Sequence, residues 1–338
     1  MMRAAIRFFY TTSLIFFIFS CNTGPRTVEG ERILKKKESV TVPSFSSDSA
    51  YSFIEKQLLF GPRVPNSVAH KLCGDFLIDK FESYGANVLV QNFTEKSFDG
   101  KTLQLRNIIA SYNPKAKKRV LLAAHWDTRP FADKDTTERF KPIDGANDGA
   151  SGVAVLLEIA RKLHAHELPK VGIDLVLFDG EDYGPHSEAD APQMIDGKLR
   201  IWWCLGSQYW AKNPHKAKYS AYYGILLDMV GAKNARFYRE GGSMQFAPKV
   251  VNSVWTTARY LGYGDYFIGS NSPGITDDHI FVNTIAKIPM INIVDYDPHS
   301  DSFYFPEYHH THLDDIDIID KRTLQAVGET LLYVIYHE

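Results

Sequence analysis

The hydrophobic and polar positions of this chain change rhythm as it proceeds. Across residues 48–60 and 67–84 apolar side chains return at helical spacing, with Phe53, Leu58 and Leu59 in the first segment and Leu72, Phe76, Leu77 and Phe81 in the second. Each predicts a helix with one buried stripe. Residues 86–93 and 102–112 are rich in β-formers and flank a loop with Asp99-Gly100, which predicts an antiparallel hairpin. From Val120 the pattern alternates. VLLAA at 120–124, IDLVLF at 173–178, YGILLDMV at 223–230 and IPMINIV at 288–294 are short apolar runs of the kind found in strands covered on both faces. Between and after them helices are predicted over residues 152–166, with Val153, Leu156, Leu157, Ala160 and Leu163 on one stripe, and over 206–212, 248–261 and 321–336. Alternation of this kind implies an α/β fold, a three-layer α/β/α sandwich. Its central twisted sheet is mixed but mostly parallel, with the hairpin at one edge.

Composition adds little to that picture. With 338 residues, 44% hydrophobic and 23% charged, the chain is ordinary globular protein, and residues 46–338 read as a single domain. The net charge of −2 and the scatter of Lys and Arg exclude the electrostatic footprint of a nucleic-acid binder. KKK at 35–37 reads as solvated linker, and a monomer is expected.

The N-terminus is different. Arg3 and Arg7 precede an apolar run from Phe8 to Phe19 that is too short to span a bilayer comfortably, which predicts an export signal over residues 1–20. Ile18-Phe19-Ser20-Cys21 resembles a bacterial lipobox. A lipoprotein anchored through Cys21 and facing the periplasm, at the inner or outer membrane, is therefore expected; a plain cleaved signal and an uncleaved anchor are the alternatives. Residues 21–45 read as a polar tether. Cys73 and Cys204 remain, either as free buried thiols or as a disulfide.

In parallel α/β sheets ligands sit outside the carboxyl ends of the strands, and metal-binding side chains stand at those ends here. VLLAA runs into His125-Trp126-Asp127, and Asp144-GAN-Asp148-GASG precedes the next helix. IDLVLF runs into Asp179-Gly180-Glu181-Asp182, and Asp228 ends the third run. Thr276-Asp277-Asp278-His279 lies before IPMINIV, which leads on to HHTHLDD with His309, His310 and His312. Each motif alone has a plain structural reading; Asp148, for instance, is placed to cap a helix. Gathered in one crevice, these acids and imidazoles require a cation, and the mixture of oxygen and nitrogen donors suits zinc. Adjacent Glu181 and Asp182 diverge on a turn, so one can bind metal while the other handles protons.

AHWD, GANDGASG, FDGED, LLDMVGA, TDDH and HTHLDDIDIID together resemble the M28 zinc aminopeptidase family, and more closely its glutaminyl cyclase branch in the form found in Bacteroidetes-like bacteria. The resemblance runs from about Ser47 to Glu338. It implies zinc held by Asp148, Asp182 and His310, the last from the register of His-Thr-x-x-Asp, with Glu181 as general base and acid and with Asp228 and Asp277 beside the substrate. It implies peptide and protein substrates beginning with Gln, converted to pyroglutamate with loss of ammonia, and one zinc per chain. The rival is a two-zinc aminopeptidase, in which His125, Asp148 and Asp228 hold the second ion and Asp127 stands behind it. A catalytically dead peptide-binding lipoprotein is a further alternative. Two departures stand out: Asp182 where many relatives have Glu, and His309 where cyclases place a pocket-wall Trp. Trp202, Trp203 and Ile275 are expected to line the pocket, whereas Trp210 reads as core. The acids Asp133, Asp135 and Glu138 read as a solvated loop.

Overall fold

The computed structural model of the chain describes residues 40–186, 193–195, 198–301 and 304–338. The expected export signal, Cys21, the KKK tract and most of the tether lie outside the described residues. Residues 40–338 form one compact unit. No helix among the described residues is long and apolar enough to cross a membrane.

Two helices, α1 (Ser47–Leu58) and α2 (Val68–Ser83), precede the hairpin β1 (Asn87–Lys96) and β2 (Thr102–Tyr112). There follow β3 (Arg119–His125), α3 (Ala150–Ala165), β4 (Gly172–Phe178), a small hairpin β5 (Gln193–Ile195) and β6 (Lys198–Arg200), α4 (Leu205–Lys212) and β7 (Tyr223–Asp228). The last part comprises β8 (Phe237–Arg239), α5 (Gly241–Phe246), α6 (Pro248–Tyr260), β9 (Phe267–Asn271), α7 (Asp278–Phe281) running into a π-helical turn, β10 (Met290–Val294) and α8 (Lys321–Tyr336). The main sheet has the order β1-β2-β4-β3-β7-β10. β1, β2 and β4 pair antiparallel, while β4, β3, β7 and β10 are parallel. The chain builds to one side of β3 and then to the other, so the crevice of this sheet lies at the carboxyl ends of β3, β4 and β7.

Side-chain alternation divides the strands between two cores. Val120, Leu122, Ala124, Leu175, Leu177, Ile225 and Leu227 face the layer of α1, α3, α6 and α8. Leu121, Ala123, Val176, Phe178, Leu226 and Met290 face α4 and the π-helical turn, where Trp210 packs edge-on against Phe178. Period-two exposure of apolar residues to both layers is what a doubly covered sheet demands.

Several expectations change in detail. Leu59 and Leu72 are exposed. Leu59 lies beyond the last turn of α1, and the buried face of α2 runs instead through His70, Cys73, Leu77 and Phe81. The expected helix at 152–166 begins at Ala150 with Gly149 as N-cap, and no side chain caps it, so Asp148 is not used in that way. The strand expected over 223–230 ends at Asp228. The parallel pair β8–β9 was not legible as strands, because each is short and Phe237 and Phe267 are the residues they bury most deeply. Cys73 and Cys204 are both free and buried.

Beside that second sheet Glu240 is fully buried and accepts hydrogen bonds from the N–H groups of Gly242 and Ser243 (2.6 Å each) and Ile275 (3.1 Å) and from the Ser243 hydroxyl (2.6 Å). His279 Nε2 lies 3.1 Å away. Burial pushes the Glu240 carboxyl up, but His279 and Ser243 outweigh it and hold it at about 2. A folded-state value below the unfolded value of about 4.3 stabilises the fold above that pH, and the gain is lost as pH falls toward 2. The full effect is on the order of 3 kcal/mol. Glu240→Gln should therefore destabilise strongly at pH 7 in urea titrations, with a gap to wild type that shrinks by about half at pH 3; a gap independent of pH would refute this.

Candidate active site

Most of the strand-end acids and histidines singled out in the sequence converge on the crevice, whereas His279 pairs with Glu240, His312 with Asp135 and Asp179 with His70. Asp148, Glu181, Asp182, Asp228, Asp277 and His310 line a cleft of about 550 Å³, with His309, Trp202, Trp203 and Ile275 on its walls. His125 and Asp127 lie beneath it, both buried.

Two buried carboxylates build the local geometry. Asp127, at the end of β3, accepts the backbone N–H of Glu181 at 3.1 Å and of Asp182 at 3.2 Å, one on each oxygen. Asp314 does the same for Asn147 at 2.7 Å and Asp148 at 3.1 Å. Each acid clamps a turn and fixes which way the next side chain projects. Asp127 is thereby committed to backbone and is not turned out as a ligand. Gly149 is obligatory beside Asp148, since a Cβ there would lie 2.5 Å from His125 Nε2.

Within the cluster His310 Nε2 lies 3.1 Å from Asp182 Oδ1 and 3.8 Å from Asp148 Oδ2. The other oxygen of Asp148 is 3.0 Å from His125 Nε2, which is also 3.3 Å from Asp228 Oδ1. Asp148 thus stands between two groups of donor atoms. His309 is stacked on His310 with ring centroids 3.7 Å apart, and its Nε2 lies 3.9 Å from Asp148. Trp203 lies parallel to His310 at 6.0 Å, and the Arg129 guanidinium covers its face at 4.6 Å. Glu181 Oε1 accepts the Cys204 thiol at 3.1 Å, and one donor atom from each of Glu181, Cys204 and Asp277 falls within 4.8 Å of the others. Asp277 also accepts the Asn292 amide at 2.5 Å.

The electrostatics show what the site lacks. Both Asp182 oxygens are buried with no hydrogen bond among the described residues, and burial, reinforced by Asp148, pushes this carboxyl well above its usual range. Burial together with Asp277, Asp182 and Asp278 does the same to Glu181. Asp228 is pushed up to about 7 by burial and by Asp277 and Asp148, against the pull of His125. Burial, aided by nearby cations, holds His309 and His310 far below the usual imidazole range, so both are neutral. Unpartnered carboxylate oxygens facing a neutral imidazole are the donor set of a divalent cation, and Asp148, Asp182 and His310 fit a zinc ion with an open position.

The acidic loop is not the solvated segment expected. Asp133 is buried, pairs with Arg129 through two contacts of 2.7 Å, and lies 3.6 Å from His310 Nδ1, leaving Nε2 directed at Asp182. Asp135 takes the His312 ring at 2.7 Å and its backbone N–H at 3.0 Å. Only Glu138 is solvated, paired with Lys141. The loop is laced along the histidine run, which keeps His310 at φ +61, a left-handed conformation that costs a non-glycine residue about 1–2 kcal/mol. Neither this lacing nor the Cys204 contact carries a signal in the sequence. Asp314 does, through its fixed distance from His310.

Residues 107–335 match peptidase family M28. The chain is 50% identical to a glutaminyl cyclase of Tannerella forsythia, covering 88% of this chain and 100% of that one with a TM-score of 0.83. It is 48% identical to a Zn-dependent exopeptidase of Parabacteroides distasonis, with the same coverage and TM-score. Among curated proteins it is 25% identical over 297 residues to the glutaminyl-peptide cyclotransferase of Drosophila melanogaster, covering 80% of this chain and 75% of that one. Fold, ordered motifs and crevice agree with these matches, and the chain belongs to peptidase family M28, among its bacterial glutaminyl cyclases.

Proposed function

We infer that this protein is a zinc-dependent glutaminyl-peptide cyclotransferase, which closes an N-terminal Gln to pyroglutamate and releases ammonia. The observation that carries this reading is that one cleft is lined both by Glu181 with Asp277 and by the Asp148–Asp182–His310 group. It is supported by half-identity to a glutaminyl cyclase across that protein's whole length.

Asp148, Asp182 and His310 would hold the ion. Zinc, when bound, supplies Lewis-acid polarisation of the γ-amide carbonyl. Glu181 takes the proton from the α-amine as its nitrogen bonds to the γ-carbon, and then delivers that proton to the amide nitrogen as the old C–N bond breaks and ammonia leaves. A carboxyl held well above its usual range by burial suits both halves of that transfer. Cys204 donates to Glu181 Oε1 and leaves Oε2 for the substrate. Asp228 and Asp277 orient the amine. Because ring closure is intramolecular, holding the glutamine in its folded form supplies much of the rate.

A second reading, the two-zinc aminopeptidase, draws on the convergence of His125, Asp148 and Asp228. The cyclase reading expects one zinc per chain, and because His125 Nε2 reaches both carboxylates as the ligands of a second ion would, metal content separates the two readings. Incubation of residues 46–338 with a Gln-initiated peptide should give a mass loss of one ammonia, with no release of the aniline from a leucine anilide and about one zinc per chain. Hydrolysis without cyclisation, or two zincs both needed for turnover, would establish the peptidase instead. The remaining parts of the reading are a Cys21-anchored lipoprotein facing the periplasm, the 46–338 catalytic domain as a monomer, and exported proteins beginning with Gln as substrates. They are supported by the lipobox-like N-terminus and the separation of residues 40–338 as a compact unit.

A further inference from the structure

Three cations line the cleft among the described residues: Arg129, Lys134 and Arg200. Two are already neutralised. Arg129 is paired with Asp133 and donates to the carbonyls of Asp182 and Pro185. Arg200 is 2.7 Å from Glu95 and lies over the Trp202 ring at 5.0 Å. Lys134 is different. Its ammonium donates to His309 Nδ1 and lies 5.4 Å from the centre of the Phe305 ring. No carboxylate of the described residues is within ion-pair distance of it, and two of its three N–H bonds are left over.

The position of that charge is fixed at both ends. The Lys134 backbone N–H donates to the His310 carbonyl at 3.3 Å, and its flanking residues Asp133 and Asp135 grip His310 and His312. His309, neutral and accepting at Nδ1, is the single ring between Lys134 and Asp148. Lys134 Nζ thus stands one imidazole away from Asp148, a separation of the same order as that between the side-chain amide of a Gln and the Cα of the residue after it, one Cα step of about 3.8 Å beyond the Gln Cα. In this chain His309 stands where a Trp wall was expected, and only an imidazole can both form that wall and accept from a lysine.

We propose that Lys134 is a subsite for the residue that follows the N-terminal Gln and selects substrates carrying a carboxylate there, Glu or Asp. This rests on the cyclase reading. The lysine is exposed in the cleft, so a single charge contact is worth up to about fivefold. With attraction for one substrate and repulsion for another, kcat/KM for Gln-Glu peptides should exceed that for Gln-Lys peptides of otherwise equal sequence by about tenfold at low salt, and less at high salt.

The test is that ratio in wild type, Lys134→Arg, Lys134→Met and Lys134→Glu, each variant serving as its own reference so that any loss of packing around His309 cancels. The preference should survive in Lys134→Arg, fall to within about twofold in Lys134→Met and reverse in Lys134→Glu. A wild-type ratio near one, or a tenfold ratio that persists in Lys134→Met, overturns the subsite while leaving the cyclase reading intact. No turnover of any Gln peptide overturns both.

Discussion

Glu181→Gln should lower kcat for cyclisation of a Gln peptide by about 10²- to 10⁴-fold, the range spanned by a positioned general acid and base, while KM and bound zinc change little. The expectation follows from how the residue is held. Its backbone N–H is fixed by Asp127, one side-chain oxygen is engaged by Cys204, and its carboxyl is kept above its usual range by burial and by three neighbouring acids. Gln preserves the shape and can still accept from Cys204, but it cannot carry a proton from amine to leaving group. Steady-state kinetics with metal analysis of the same sample are the measurement. A fully active variant refutes the role, and loss of zinc along with activity would show that Glu181 is a ligand rather than a base.

Removal of the ion should be just as severe. Dialysis against a chelator is expected to abolish turnover and added zinc to restore it, whereas His310→Ala should bind no zinc and remain inactive at any zinc concentration below millimolar. Thermal denaturation gives a readout independent of catalysis. Zinc at 100 times its dissociation constant stabilises the folded state by about 2.7 kcal/mol, a shift that His310→Ala should not show. The reason lies in the apo electrostatics. Asp182 has two buried oxygens without a hydrogen bond, His310 is neutral, and Asp148 is shared between His125 and His310. A variant that keeps a zinc-dependent shift without His310 would move the ligand set, with His309, 3.9 Å from Asp148, as the alternative imidazole.

The three-layer architecture was legible because its signal is local. A strand covered on both faces must be continuously apolar, and VLLAA and IDLVLF have no other stable use in a soluble fold. The acids of the candidate site were legible for a related reason: a parallel sheet delivers the residues after each strand to the same edge, so order along the chain becomes proximity in space. The β8–β9 pair escaped notice, since each strand is short and buries chiefly one Phe. Asp133 and Asp135 read from the sequence as solvated, because an acidic loop reads identically whether it meets water or a histidine run.

By itself, then, the sequence determined the alternation of strands and helices, the family, and the identity of Asp148, Glu181, Asp182, Asp228, Asp277 and His310 as the residues of interest, each displayed by a strand end or a motif of fixed spacing. Only the tertiary structure decided their company. It turned Asp127 and Asp314 into clamps on the backbone and set the Cys204 thiol against Glu181. It also folded the 133–135 loop along His309 to His312, which leaves Lys134 alone in the cleft with an unneutralised charge. These contacts join positions from 23 to 177 residues apart. Apart from Asp314, marked by its spacing from His310, the partners carry no local signal of these contacts, which exist only once the hydrophobic layers have brought the strand ends together.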